Sequence, residues 1–424
     1  MFPNPTRVFR GFVWVIQKGG MTVADELHRQ EPFEEFTRPA QIEDKRSMRK
    51  KAQLFEEEIN KDFLRDSGRL FWNQIPNDIG DMAIWQGYYT AFRAFEYDAT
   101  KSEQTLSFLG KALDGIDLLT AGYGKAYLVR GVDPAAGDAL KTHTYFHRGD
   151  RYDRVEDASG SSMAGVVFGL NAAYRFGDKK TRDKAGRLAA RLARGFKQSG
   201  YRLRNANGST TRWGDFRPNR WILDPAKLLT VVALFNLAHQ ADGDPMFLKE
   251  KKKFTQSKTM RKIAAKGEAH FLWYGKEYHQ HLAFMSFYVL MSTEQDSKLR
   301  GLWESGFKKL LRKYRKEGNS FFTFAGASFF ERNSNDIKTA IQTLQEFSFP
   351  KKRKAANNLR DLSIAKAGRR SLQPLPVWRR PNTDIVWQRD PYELAGPPGN
   401  RYTGLDFLIA YWMGRRLGFI NKNQ

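Results

Sequence analysis

Apolar positions recur at helical spacing along most of the chain, and the helices they predict come in pairs. Trp85, Tyr88, Tyr89, Phe92 and Phe95 share one helical face. After a turn at Asp98-Ala99-Thr100, Leu106, Leu109, Leu113 and Ile116 share another. The same alternation predicts pairs over 161–176 and 181–196 (joint Gly177-Asp178), from 225 to 239 and onward from Pro245 (joint Asp242-Gly243-Asp244), and over 281–291 and 297–314 (joint Glu294-Gln295-Asp296). A fifth pair is predicted over 321–330 and 336–347, and a last apolar helix over 404–417. The first helix of each early pair is rich in aromatic and small residues, whereas the second is amphipathic and charged. That is the asymmetry of an inner ring of helices inside an outer one. The expected fold is all-α, an (α/α)6-type toroid of helical hairpins.

Two stretches break the pattern. Residues 1–44 read as an irregular N-terminal arm, interrupted by Pro3, Pro5, Pro32 and Pro39, ahead of a toroid over 45–424 that opens with a charged helix reaching to about Leu64. Between 349 and 402 the helical signal fades into a Pro-rich loop. It also holds Trp378, Trp387 and Tyr392, so a long ordered loop or lid is expected.

Short polar clusters precede five of the predicted inner helices: Asn77-Asp78-Ile79-Gly80-Asp81, Glu156-Asp157-Ala158-Ser159, Thr211-Arg212-Trp213-Gly214-Asp215, Tyr278-His279-Gln280-His281 and Arg401-Tyr402-Thr403. In a toroid the inner helices begin at one end, so these clusters are expected to meet in one cleft.

The 424 residues carry 71 Lys and Arg against 46 Asp and Glu, a net charge of +25. Such a field draws polyanions. The cations cluster late, at 249–253, 308–316 and 351–354. Charge runs of this kind commonly just face water on outer helices, so the partner must be argued from the clusters themselves. No zinc-finger, helix-turn-helix or RNP signature points to nucleic acid. No apolar run approaches the roughly 20 residues that span a bilayer. The compartment stays open: a secreted protein whose signal has been removed and a virion component both fit. With no cysteine, disulfides, thiolate metal sites and a Cys nucleophile are excluded. No cofactor is called for. The histidine pairs 143/147 and 279/281 lack an evident third ligand, so no metal site is assigned.

Several segments resemble the six-hairpin glycosidase-like superfamily of α/α toroids, within it a bacterial branch. They are Asp81-Met82-Ala83-Ile84-Trp85-Gln86-Gly87-Tyr88-Tyr89, Thr211-Arg212-Trp213-Gly214, His281-Leu282-Ala283-Phe284-Met285-Ser286-Phe287-Tyr288, Pro391-Tyr392-Glu393-Leu394 and Tyr411-Trp412-Met413-Gly414-Arg415. The similarity spans about residues 70–420. It implies the toroid fold and an activity among glycoside hydrolases, unsaturated glucuronyl hydrolases and polysaccharide lyases. One departure stands out: Glu156-Asp157-Ala158-Ser159-Gly160-Ser161-Ser162 replaces a Gly-Asp-Thr-Ser-Ser-Asp run common in related sequences.

Glycoside hydrolysis takes two carboxyl groups, one donating a proton and one activating water or attacking the sugar. Asp81 and Asp157, with Asp78 and Glu156 beside them, are the expected pair, although Asp before a helix is equally the residue of an N-cap. β-Elimination from a uronic acid instead needs a cation on the carboxylate and a His or Tyr to move protons. Tyr278 and His281 are the catalytic candidates for that reaction. Substrate binding is assigned to Asp78, Trp85, His147, Arg148, Arg212, Trp213, His279, Arg401 and Tyr402. Arg beside Trp offers an acidic sugar a stacking ring and a guanidinium for its carboxylate. The first expectation is therefore hydrolysis of an acidic polysaccharide or oligosaccharide, the second a lyase, and the third a non-catalytic glycan-binding or structural module.

Overall fold

A computed structural model of the protein describes residues 40–75, 79–121, 128–133, 143–218, 226–267, 276–356, 374–381 and 385–424. The described residues hold thirteen helices: α1 (Met48–Glu58), α2 (Met82–Thr100), α3 (Glu103–Thr120), α4 (Gly160–Phe176), α5 (Lys179–Gln198), α6 (Ala226–Asp242), α7 (Pro245–Thr255), α8 (Lys258–Lys266), α9 (Lys276–Thr293), α10 (Ser297–Tyr314), α11 (Ser320–Ala327), α12 (Ser334–Gln345) and α13 (Leu405–Arg416).

Six of them, α2, α4, α6, α9, α11 and α13, form the inner ring, each packed on the next, with α13 closing back on α2. The residue pattern explains which helices go inside. From Ala226 to Ala238 every side chain of α6 is buried, and the same holds for α4 from Gly160 to Ala173. The outer helix α5 buries only one stripe, including Leu188, Leu192 and Phe196. The sixth hairpin joins the first and the last of these helices. Helix α1 begins a few residues later than the sequence led us to expect, continues through a π-helical turn over Ile59–Phe63 to the expected end, and packs beside α13. Gly404 sits against the Phe55 ring, and the indole of Trp412 donates to Glu56 Oε1 at 2.9 Å.

Inner helices α2 and α4 lie backbone to backbone. A Cβ built on Gly165 would stand 2.5 Å from the Cα of Ile84, and one on Gly169 would stand 2.5 Å from the carbonyl oxygen of Gly87. Only glycine allows that approach, and it holds the N-termini of the two helices side by side. The middle of the ring is solid. Tyr88, Phe95, Phe168, His281, Tyr288 and Phe321 pack there edge to face or tilted, with ring centroids 5.2–6.2 Å apart.

The two poles differ. Where an inner helix passes to its outer partner the turns are tight and capped. Asp178 accepts from Thr181 N–H at 2.9 Å, Asp244 from Met246 N–H at 2.9 Å, and Asp296 from Lys298 and Leu299 N–H at 3.0 Å. The first of these joints falls later than expected: α2 runs on to Thr100, Lys101 takes the left-handed conformation (φ 54°) and Ser102 caps α3. Where an outer helix passes to the next inner one, apart from the five-residue link from α10 to α11, the chain spends more residues and all ten described strands. These are β1 (Leu64–Arg65), β2 (Leu70–Phe71), β3 (Gln74–Ile75), β4 (Gly131–Asp133), β5 (His143–His147), β6 (Asp150–Val155), β7 (Arg202–Arg204), β8 (Thr210–Asp215), β9 (Lys352–Ala356) and β10 (Ala395–Tyr402). They pair antiparallel as β1-β2, β4-β6-β5, β7-β8 and β3-β10-β9. The elaborated pole is the one at which the inner helices begin.

The described part of the Pro-rich segment is an ordered loop, as the sequence had pointed to, and it packs into the ring. Val386 N–H donates to Asp406 Oδ2 at 3.0 Å and the Trp387 indole to the Asp406 carbonyl at 2.9 Å, while Lys351 forms a buried ion pair with the same carboxylate. Trp387 is a core residue.

Candidate functional site

Asp81 is the residue before α2, yet its side chain does not cap that helix. It accepts a hydrogen bond from Arg130 Nη2 at 2.8 Å, and Arg130 Nε donates to the Gly80 carbonyl. The backbone of Arg130 ties this corner to the next inner helix. Its N–H donates to Val155 O at 2.8 Å, and its carbonyl accepts from Ala83 N–H at 3.0 Å. Two residues beyond Val155 stands Asp157, in the left-handed region at φ 65°. Asp is among the side chains that tolerate this conformation, which aims it out of the strand. Its N–H donates to Asn205 Oδ1 at 3.0 Å and its carboxylate accepts the Arg212 N–H at 2.6 Å. Asp157 does not cap α4 either; that position belongs to Ser159, whose N–H donates to Ser162 Oγ at 3.3 Å.

The β7–β8 hairpin completes the corner. Thr211 Oγ1 donates to Ala158 O at 2.7 Å, and Ala206 N–H donates to Glu156 Oε1 at 2.8 Å. Lys227, at the start of α6, donates to the Trp213 carbonyl at 2.7 Å, with its stem against Gly160. Trp213 is 48% exposed, the one exposed tryptophan among the described residues, and the Arg212 guanidinium lies 4.9 Å from its ring centre. Between β6 and this hairpin lies a small recess, with about 10 Å³ of free space, lined by Leu128, Val129, Arg154, Glu156, Asp157, Arg204, Asn205 and Ala206. Asp81, Asp157, Arg212 and Trp213 are thus linked around neighbouring inner-helix starts.

The other candidates are placed elsewhere. His281 was expected in the cleft but is wholly buried in the ring centre. Its ring nitrogens meet the Tyr88 hydroxyl and, at 3.0 Å, the Gln388 side-chain amide. Burial depresses its pKa to about 3 and, with Asp406 contributing, raises that of Tyr88. A helix-start histidine looks the same in sequence whether it faces cleft or centre, and here its angular position on α9 turns it inward. Trp85 is 4% exposed, packed on Tyr88 at 5.9 Å. His147 and Arg148 were expected in the cleft but are drawn to the outer helices, where Asp117 of α3 binds Arg148 at 2.7 Å, Arg191 of α5 at 2.6 Å and His147 at 3.5 Å. Burial lowers the His147 pKa against the pull of Asp117, with Arg148 and Arg191 adding to the lowering. Arg401 pairs with Asp62 at 2.7 Å and lies 3.4 Å from Glu58, while Tyr402 is buried. Burial lifts the Glu58 pKa to about 7 against Arg401. Tyr278 and His279 are half-buried, with ring centres 5.5 Å apart. Asp78 lies outside the described residues. Among the described residues no group of three or more His, Asp and Glu side chains is arranged to hold a metal ion, and no helix is long and apolar enough to cross a membrane.

Arg130 and Lys227 were not singled out in the sequence. Arg130 lies in a non-periodic loop, and Lys227 sits one residue inside a helix that is otherwise apolar.

The burial of His281 has a measurable consequence. Above pH 6.5 the imidazole is neutral whether folded or unfolded. Below it the unfolded chain takes up a proton that the folded ring refuses down to about pH 3. Stability therefore falls with acidity over that window, by about 1.4 kcal/mol per pH unit from this one group. Chemical denaturation of wild type and His281→Phe at stepped pH should show the variant with the shallower acid slope.

The fold has counterparts among solved structures. A GH76 α-mannanase of Bacteroides thetaiotaomicron superposes with a TM-score of 0.51 at 11% identity, covering 88% of this chain and 96% of that one. A sugar epimerase from a ruminal bacterium gives 0.46 at 11% identity over 87% and 98% of the two chains. A cellobiose 2-epimerase of Spirochaeta thermophila gives 0.45 at 10% identity over 88% and 97%. No protein-family model and no curated protein sequence matches the chain. The shared architecture is the α/α toroid of helical hairpins.

Proposed function

We propose that the protein is a carbohydrate-active enzyme that hydrolyses glycosidic bonds in an acidic, uronic-acid-containing polysaccharide or oligosaccharide, with Asp81 and Asp157 as the carboxylate pair. The observation that carries this reading is that neither carboxylate caps its helix, although each precedes one. Both belong to neighbouring inner helices and both are held from outside, Asp81 by Arg130 and Asp157 by the Arg212 N–H. Two carboxylates held in place at neighbouring helix starts are what acid–base cleavage of a sugar acetal requires. The toroid architecture shared with a mannanase supports a glycan substrate and leaves the reaction to the site.

The Arg212–Trp213 pair supports binding of an acidic sugar. The exposed indole offers a surface on which a sugar ring can stack, and the Arg212 guanidinium beside it, with Arg204 in the adjacent recess, carries positive charge toward a carboxylate. For β-elimination, Tyr278 and His279 are the remaining proton carriers, because His281 is neutral and enclosed. A panel of acidic polysaccharides, read in parallel for new reducing ends and for the ultraviolet absorbance of a conjugated double bond, separates the reactions. Hydrolysis predicts reducing ends without the absorbance. Absorbance rising in step with reducing ends would replace it with elimination, and silence in both across the panel leaves a binding module.

A further inference from the structure

The proposed site occupies one pole, yet much of the protein's positive charge lies on its outer wall. Residues 245–267 and 297–317 carry 16 Lys and Arg against 3 Asp and Glu, about half of the net +25. They form α7, α8 and α10, which are adjacent. Helix α8 packs on α10 with Gly267 and Ala264 against Gly306, and Lys309 Nζ donates to Ala265 O at 2.6 Å. Their exposed cations include Lys249 and Lys252 three apart on α7, the adjacent Arg261 and Lys262 on α8, and Lys309 and Arg312 three apart on α10. None of these six has a carboxylate within ion-pair distance among the described residues. The acids of the region are spent on other cations: Glu250 on Lys253 at 2.7 Å and Glu304 on Lys308 at 2.5 Å. Unneutralised like charges repel one another and cost stability, so their accumulation on one wall calls for an external counter-charge.

The belt also leads somewhere. Helix α10 runs antiparallel to the inner ring, so its basic C-terminal end lies toward the elaborated pole. The Ser257 hydroxyl, between α7 and α8, donates to Pro218 O at 3.3 Å, three residues past β8 of the Arg212–Trp213 hairpin. The cationic wall therefore abuts the rim of the proposed site.

We infer that this wall is an exosite for the extended chain of an acidic polysaccharide, holding a long polyanion by charge while a short stretch of it occupies the pole. The inference rests on the proposed function for the identity of the polymer and on the charge pattern for the site. A linear polyanion of regularly spaced carboxylates complements cations spread over three neighbouring helices. It gives salt-sensitive affinity without a deep pocket.

The test compares wild type, the triple variant Lys252→Glu, Lys262→Glu and Arg312→Glu, and the double variant Asp81→Asn and Asp157→Asn. Each is titrated with sodium polygalacturonate, with neutral dextran and with a DNA duplex, at rising salt, after thermal melting confirms that all three are folded. The expected result is that wild type and the Asp variant bind polygalacturonate alike, dextran is not bound, and the triple variant loses about tenfold or more in affinity together with most of the salt dependence. Equal binding by the triple variant and wild type overturns the exosite. So does a preference for DNA over polygalacturonate that disappears in the triple variant, since the wall then serves nucleic acid. The two readings fail separately. Loss of polymer binding in the triple variant with no turnover of any glycan by wild type sinks the hydrolase and leaves the exosite standing. Turnover with undiminished polymer binding in the triple variant does the reverse.

Discussion

Asp81→Asn and Asp157→Asn are each expected to reduce glycan turnover by at least about a thousandfold, with the melting temperature little changed. The size follows from the role, because positioned acid–base groups contribute factors of about 10² to 10⁴ each. The melting temperature should hold because neither carboxylate is a structural cap. Asp81 meets one half-exposed arginine, and the amide of asparagine still offers an acceptor to the Arg212 N–H that holds Asp157. Combining the two changes should cost far less than the product of the single losses, because residues acting on one bond are not additive. Reducing-end kinetics on the responsive polysaccharide, alongside thermal melting, measures both halves. A loss of activity matched by a loss of melting temperature would return these residues to a structural role.

The second large effect is on the fold. Gly87→Ala should cost about 3 kcal/mol or more and leave little folded protein. The added methyl would fall on the Gly165 carbonyl of the facing helix, where both sides are backbone and neither can rotate away. The damage should reach the site, since the same contact holds the starts of α2 and α4 together. Gly110→Ala is the control. It also lies within a helix, but its Cβ meets nothing within 4 Å, and the change should stabilise by about 0.5–1 kcal/mol through helix propensity. Urea denaturation of the two variants distinguishes a packing constraint from a general intolerance of alanine.

Much of this was readable in the chain because helices announce themselves locally. The all-round apolar character of 226–238 and the one-sided pattern of 179–198 assign those segments to inner and outer rings without any tertiary information. Gly177-Asp178 and Asp242-Gly243-Asp244 mark their turns for the same reason. The partner of the last helix was not legible, since it is α1, more than 340 residues away, and nothing local encodes that closure.

For the site, the order of clusters along the chain places all five at one pole, and the contacts link Asp81, Asp157, Arg212 and Trp213. What sequence could not supply is radial position. His281 points to the centre, whereas His147 and Arg148 are pulled outward by Asp117. Arg401 is claimed by Asp62. Each of these outcomes is decided by a partner distant in sequence. The Ser159–Ser162 capping pair was a usable signal. It shows that α4 does not need Asp157 as its cap, which leaves that carboxylate available for chemistry.

The most direct measurement is a crystal structure of the Asp157→Asn protein soaked with an acidic oligosaccharide that the wild type cleaves. The account predicts sugar density at the pole where the inner helices begin, with one ring stacked on Trp213, a carboxylate near Arg212 and the scissile oxygen within hydrogen-bond reach of Asp81 or residue 157. Density at the tight-turn pole, or bound sugar that touches neither Asp81 nor residue 157, would contradict it.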